Sequence, residues 1–216
     1  MSERAQEVRE LADAVRDLIH RMVATAAPVE VFAGVAQDLR EVARRFEPFP
    51  KEHLYLGVRE AALAAAGEVG SDYEGPFDLS PLMGRANPLA PPLRLHMLDD
   101  RITGTATFDS AYEGPPGCVH GGFVAAAFDE ALGLVQTLAG QPGMTGRLTI
   151  HYRTPTPLNT ELRIEARVDR VEGRKTFCLG ELYAGDRLCA EAEGLFISID
   201  FAKFAKLAAD AERQLE

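Results

Sequence analysis

One acid stands out against its surroundings. Residues 119–139 (VHGGFVAAAFDEALGLVQTLA) are the most apolar stretch of the chain, and Asp129 lies near their middle. An isolated ionised carboxylate among apolar side chains is costly, so such a group is paired, protonated or put to use. Glu130 is adjacent, but on a helix it points about 100° away. Just upstream, Pro115-Pro116-Gly117-Cys118-Val119-His120-Gly121-Gly122 leads into the stretch. Glycines let another atom approach the backbone closely. The free N–H groups of a helix start favour a developing negative oxygen. Asp129 follows about two turns later, where it can lie near the carbon of a carbonyl held at the helix start. Donors at an oxygen, with a base or nucleophile below, suit acyl transfer to water. The same residue types also suit an ordinary glycine-rich helix start, with Asp129 in a wet interface or paired to Arg147 or Arg153.

Other chemistries lack their residues. There is no G-x-S-x-G, no P-loop and no G-x-G-x-x-G after a strand. His20, His53, His96, His120 and His151 are scattered without metal-ligand spacing. We expect no metal and no cofactor. Cys118, Cys178 and Cys189 are odd in number and form no C-x-x-C, which fits small core residues in a reducing, cytoplasmic setting. The 216 residues carry 33 acids against 23 bases, a net charge of -10. That balance disfavours nucleic acid, and an anionic ligand would need a local basic patch. Candidates are Arg147, His151 and Arg153 on one strand face, and Arg174-Lys175 at a turn. Each equally fits a solvated face balanced by Glu161 or Glu165. Asp129 and Glu130 argue against a membrane span. The N-terminus mixes acids and bases, unlike a signal or transit peptide.

The elements that position these residues follow from periodicity. Val8, Leu11, Val15, Leu18 and Met22 form one helical stripe, and Phe32, Val35, Leu39, Val42 and Phe46 form a second. Ala27-Pro28 separates them, so a helical hairpin is expected, packed on the main domain or on a sister subunit. Lipid binding fits less well, because the polar faces carry many acids. Pro48 and Pro50 close the second helix, and a short helical stretch is expected at residues 53–66. Residues 67–92 are rich in Gly and Pro, as in linkers or binding-site rims. From Leu93 the period becomes two, with strands at residues 93–97 and 102–108. Further strands are expected at 147–153, 161–169, 176–183 and 188–199. On the first of these Leu148, Ile150 and Tyr152 face one way. Short turns imply antiparallel pairing. The stretch at 119–139 is apolar nearly all round and is expected to be buried. An α+β fold follows, with one antiparallel sheet curved around one central helix. The segments are a helical extension (1–66), a connection (67–92), the main domain (93–200) and a helical tail (201–216).

His120-Gly121-Gly122 with Asp129, followed by four strands, resembles the hotdog-fold acyl-CoA thioesterases of the PaaI type. The resemblance covers residues 93–199. It is closest to the carboxyl-terminal modulator protein branch, which hydrolyses medium- and long-chain acyl-CoA. The matching stretches are Tyr112-Glu113-Gly114-Pro115-Pro116-Gly117-Cys118-Val119-His120-Gly121-Gly122, Ile150-His151-Tyr152-Arg153-Thr154-Pro155 and Val171-Glu172-Gly173-Arg174-Lys175. The resemblance implies that Asp129 is the base or nucleophile, that the Gly121 N–H polarises the thioester carbonyl, and that His120 orients the loop. It implies that Gly122 contacts substrate, and that Thr145, supplied by the partner subunit, helps hold water. It further implies a homodimer or dimer of dimers with acyl-CoA bound at the subunit interface. A non-catalytic acyl-CoA-binding or regulatory protein on the same fold is the alternative; a hydratase or dehydratase is a further one without a matching motif. Phe123 and Phe128 are candidates for limiting acyl length.

Overall fold

A computed structural model describes residues 3–49 and 76–199. The expected helical stretch at 53–66, the first part of the Gly/Pro-rich connection and the expected tail helix lie outside the described residues. Two helices come first, α1 (Glu3–Ala24) and α2 (Val29–Arg44). Then follow β1 (Leu93–Met97), β2 (Arg101–Ala106) and α3 (Gly121–Val135), which tightens into a 3-10 turn at Gln136–Ala139. β3 (Gly143–Tyr152), β4 (Leu162–Glu172), β5 (Lys175–Ala184) and β6 (Arg187–Ser198) complete the chain. The six strands form one antiparallel sheet in the order β1-β2-β4-β5-β6-β3. β4, β5 and β6 are joined by two-residue turns whose first residues, Gly173 and Gly185, have φ of 58° and 59°. Only glycine takes that conformation at no steric cost.

Helix α3 crosses the sheet between β2 and β3, so β3 emerges at the far edge. Val124, Ala127, Phe128, Ala131, Leu132, Leu134 and Val135 are buried against Leu95, Ile102, Leu162, Ile164, Leu182 and Phe196. The approach is closest at Gly180, where an added Cβ would lie 3.0 Å from the Phe128 ring and 3.3 Å from Leu132. The expectation of a helix buried on all sides needs correction. Gly122, Ala125, Ala126, Asp129 and Gly133 lie on the less buried side. Small residues read as apolar in the sequence, yet they give that side little to bury.

The helical extension differs more. α1 docks on its own domain through a side that mixes Arg9, Arg16 and His20 with Val8, Ala12, Val15 and Ile19. Arg9, only 7% exposed, donates from Nε to both Asp78 carboxylate oxygens at 2.9 Å. Arg16 donates to the Asn87 and Arg85 carbonyls at 2.7 and 2.8 Å, and His20 Nδ1 bonds the Asp109 carboxylate. Leu11 and Met22, from the stripe expected to pack, are 46% and 52% exposed. α2 buries none of its residues. The expected hairpin therefore exists as two helices; the stripe of α1 is covered in part, at Val8, Val15 and Leu18, and that of α2 is left exposed.

Gly180→Val forces an isopropyl group into the Phe128 contact. Overpacking of this kind costs about 1–3 kcal/mol. Thermal denaturation should show a melting point lower by roughly 2–4 °C per kcal/mol, whereas Gly133→Ala, on the open side of α3, should show no loss.

Candidate active site

The start of α3 is tied down amide by amide. Gly117 N–H donates to the Glu113 carboxylate (2.6 Å), Cys118 N–H to the Pro115 carbonyl (2.9 Å) and Val119 N–H to the Thr156 carbonyl (2.9 Å). His120 N–H donates to the Tyr112 carbonyl (2.8 Å). His120 is the N-cap, and its Nδ1 accepts from Gly122 N–H at 3.0 Å. Phe123 and Val124 N–H both donate to the His120 carbonyl. Among the described residues, only the Gly121 N–H in this run has no acceptor. The Gly121 carbonyl is fixed from the other side by the Tyr152 hydroxyl, which donates to it at 2.9 Å. A Cβ at position 121 would stand 3.1 Å from that hydroxyl, so glycine is what lets the two elements touch. Sequence reasoning did not assign this role to Tyr152. Its signal was only its place on the same face as Leu148 and Ile150.

Asp129 is half-buried rather than enclosed. Its Oδ1 accepts from the Thr145 hydroxyl at 3.1 Å, within one chain. This corrects the expectation that the threonine reaches the acid from a partner subunit. The reason is a bulge in β3. Thr145 pairs with Phe196, and Arg147 pairs with the next residue back, Leu195, leaving Gly146 as the extra residue. Strict alternation would put Thr145 on the outer face with Arg147. One inserted residue turns it to the inner face, where α3 carries Asp129. Glu130 makes contacts of its own and lies on a different side of the helix.

A cavity of about 440 Å³ opens at the start of α3, lined by Val119, Gly121, Val124, Tyr152, Arg153 and Pro155 among others. Phe123 and Phe128 do not line it. Phe128 is fully buried in the core. Phe123 packs edge-on against Tyr112 with ring centroids 4.8 Å apart, in a cluster with Phe108 and His120. The basic candidates are divided. Arg153 borders the cavity and pairs with Glu191. Arg147 is exposed near the Thr145 end of β3. Arg174 donates to the Ser198 carbonyl at 2.8 Å, closing the end of β6, and Lys175 is its exposed neighbour. Eight residues of strand, roughly 26 Å, separate Thr145 from Arg153, so one chain does not gather these bases into one patch. His151 faces Glu193 at 3.8 Å on the outer side of the sheet, where it and Arg153 line a second cavity of about 370 Å³. Among the described residues no group of three or more His, Cys, Asp or Glu could hold a metal ion.

Residues 116–191 match the thioesterase superfamily. The crystal structure of protein RHA08564, a thioesterase superfamily protein, is similar with a TM-score of 0.74 and 32% identity. The similarity covers 88% of this chain and 94% of that one, more of this chain than residues 93–199 alone can supply. The chain belongs to the thioesterase superfamily, with its hotdog arrangement of sheet and helix. Acyl-coenzyme A thioesterase THEM4 of Xenopus laevis is 37% identical over 89 residues, covering 40% of each chain. THEM4 of Bos taurus is 39% identical over 90 residues, 41% of this chain and 37% of its own. Acyl-coenzyme A thioesterase THEM5 of Homo sapiens is 29% identical over 92 residues, 42% of this chain and 37% of its own. The match therefore spans about two fifths of the length of these curated relatives.

Tyr152→Phe removes the hydrogen bond to the Gly121 carbonyl and little else. A stability loss of about 1 kcal/mol is expected. Hydrogen–deuterium exchange should quicken at residues 121–123 and stay unchanged in β4 and β5.

Proposed function

We propose that the protein is an acyl-CoA thioesterase, converting an acyl-CoA to a free acid and coenzyme A. The observation that carries this reading is the Gly121 N–H, unpaired among engaged amides and bordering an apolar cavity. The thioester carbonyl oxygen accepts from that N–H, which stabilises the charge developing on it. Asp129 removes a proton from water as the water oxygen bonds the carbonyl carbon, or it attacks that carbon itself. The Thr145 hydroxyl holds the carboxylate in position. In either route the carbon–sulfur bond breaks and the sulfur leaves as the thiol. In the second route water then releases the acyl group from Asp129. His120 acts through the backbone, by capping α3. The chemistry needs no metal and no cofactor. The names of the relatives support the substrate class.

The reading is a two-copy one. Eight residues separate Gly121 from Asp129, about 12 Å of helix rise. A bound carbonyl joins a donor about 3 Å from its oxygen to an attacking group about 3–3.5 Å from its carbon. That span falls short of 12 Å, so Gly121 of one copy would serve with Asp129 of another. The free edge of β3 supports this. It is ten residues long, and among the described residues its strand ladder pairs with β6 alone. An unpaired edge is a template for another strand. Two β3 edges set antiparallel bring the Tyr152 end of one copy beside the Thr145 end of the other. Arg153 then joins Arg147, Arg174 and Lys175 of the other copy as a receptor for the coenzyme A phosphates, with Gly122 at the thioester. A homodimer, or a dimer of dimers, is the assembly proposed. Free Cys118, Cys178 and Cys189 fit a cytoplasmic role in fatty acid metabolism; burial pushes the Cys178 thiol up to about 12, which keeps it inert.

A free-thiol assay over a panel of acyl-CoA chain lengths tests the proposal. Release is expected for the wild type, and Asp129→Asn should lower kcat by about 10²–10⁴-fold without loss of fold. Binding without release would assign the chain to non-catalytic acyl-CoA binding instead. Deleting Gly146 removes the bulge but keeps Thr145 opposite Phe196 on the inner face, so kcat should stay close to wild type and well above that of Thr145→Ala. If the deletion lowers kcat as far as Thr145→Ala does, the facing of Thr145 is not what the bulge supplies.

A further inference from the structure

We infer that α2 is an association helix, which pairs antiparallel with α2 of a second copy of this chain. Phe32, Val35, Leu39, Val42 and Phe46 recur at spacings of three, four, three and four, and they are 37–56% exposed. A repeat averaging 3.5 residues is the seam of a coiled coil, narrower than the face a helix turns to a globular core. Phe32, Leu39 and Phe46 take heptad positions a, and Val35 and Val42 take positions d. Nothing in the described domain covers this seam, because α1 docks through Arg9, Arg16 and His20 and α2 buries no residue.

The flanking residues choose the occupant and its direction. Val29 and Val31 take the first e and g positions; beyond them Ala36 and Ala43 take e, and Asp38 and the C-cap Arg45, still in the right-handed helical conformation, take g. Among the described residues neither Asp38 nor Arg45 has an ion-pair partner. Antiparallel helices place a opposite d, with e beside e and g beside g. With Leu39 opposite Val42 of the second copy, Asp38 lies beside Arg45 of the second copy. By symmetry the reverse pair forms too. Ala36 then meets Ala43, and side chains this small let the helices approach closely. A shift of one heptad sets Asp38 beside Asp38, or Arg45 beside Arg45, and both repel. A parallel pair sets g beside the e of the next heptad, so Asp38 meets Ala43 and no opposite charge faces it. The sequence thus favours one register of one orientation, and the complementary surface is its own copy. A lipid surface fits less well. Residues 29–45 carry three acids (Glu30, Asp38, Glu41) and three arginines (Arg40, Arg44, Arg45). That leaves no positive excess to draw the helix to an anionic bilayer.

The test uses the full chain and does not depend on hydrolysis. A bis-maleimide of short span is added to a mixture of Asp38→Cys and Arg45→Cys copies, one of them isotope-labelled. Peptide mass spectrometry should find the link between positions 38 and 45 of different copies, and far less linking when either variant is treated alone. In mass photometry, Leu39→Glu should remove one association step. Asp38→Arg and Arg45→Asp should each raise the dissociation constant of that step at least tenfold. The double reversal should restore it to within threefold of wild type. All three positions are exposed, and far-UV circular dichroism should show every variant folded. The inference is overturned if Leu39→Glu leaves the mass unchanged, if position 38 links to itself as readily as to 45, or if the double reversal is no better than the single ones. It is overturned equally if Leu39→Glu instead abolishes flotation with phosphatidylcholine–phosphatidylserine vesicles, which would make the seam a lipid contact.

Discussion

The constraint on which the site depends is that α3 starts where its neighbours have already claimed every amide except one. Seven of the eight N–H groups from Gly117 to Val124 have acceptors, drawn from the loop at Glu113, from Tyr112, from Thr156 and from the His120 cap. A helix start ordinarily leaves its first four N–H groups to side chains or water. Here the surrounding chain takes them up, and the Gly121 N–H is left beside an apolar cavity. Because its carbonyl is fixed by Tyr152, the peptide has little freedom to turn and satisfy itself elsewhere. In the proposed reaction such a donor needs no reorganisation when charge develops in front of it.

Strand β3 holds both parts of the arrangement. Its Tyr152 end touches the start of α3, and its Thr145 end touches Asp129. A regular strand with Tyr152, Ile150 and Leu148 facing inward would turn position 145 outward. The bulge at Gly146 reverses the parity over one residue and keeps both ends facing the helix. An edge strand is where such an insertion is tolerated most easily, because only the ladder with β6 must absorb it.

The fold was largely legible because its signals are periodic. Alternation gave six strands within a few residues of their ends, and the apolar run gave α3. His120, Gly121 and Asp129 drew attention through residue type and spacing. What the sequence hid were matters of parity and partnership. An extra residue at 146 looks like any other glycine until the pairing with Leu195 and Phe196 is known. Tyr152 reads as one more inward aromatic until α3 is laid across it. Phe128 has the size of a pocket wall, but Gly180 makes room for it in the core. That α1 would dock on the domain through Arg9, Arg16 and His20 was not legible, because arginine and histidine are ordinarily expected outside. Arg9 and Arg16 go inward since carboxylate and carbonyl oxygens of the domain meet their donors.

That polar docking has an energetic consequence for the whole extension. A buried ion pair such as Arg9–Asp78 returns little more than the desolvation it costs, so it fixes where α1 lies more than how firmly. The area that could hold the extension strongly is the apolar area of its two stripes. Leu11, Met22 and the five seam residues of α2 keep that area in contact with solvent. Inside the domain the same kinds of side chain are fully buried, as Phe128, Leu132 and Phe196 are. The chain therefore separates the two tasks in large part: apolar burial builds the sheet-and-helix domain, and polar contacts help to orient a helical extension whose exposed apolar surface lies mainly on α2. Contiguous exposed apolar surface is characteristic of contact sites rather than of finished exteriors, and orienting it with ion pairs keeps it outward instead of letting it collapse onto the domain.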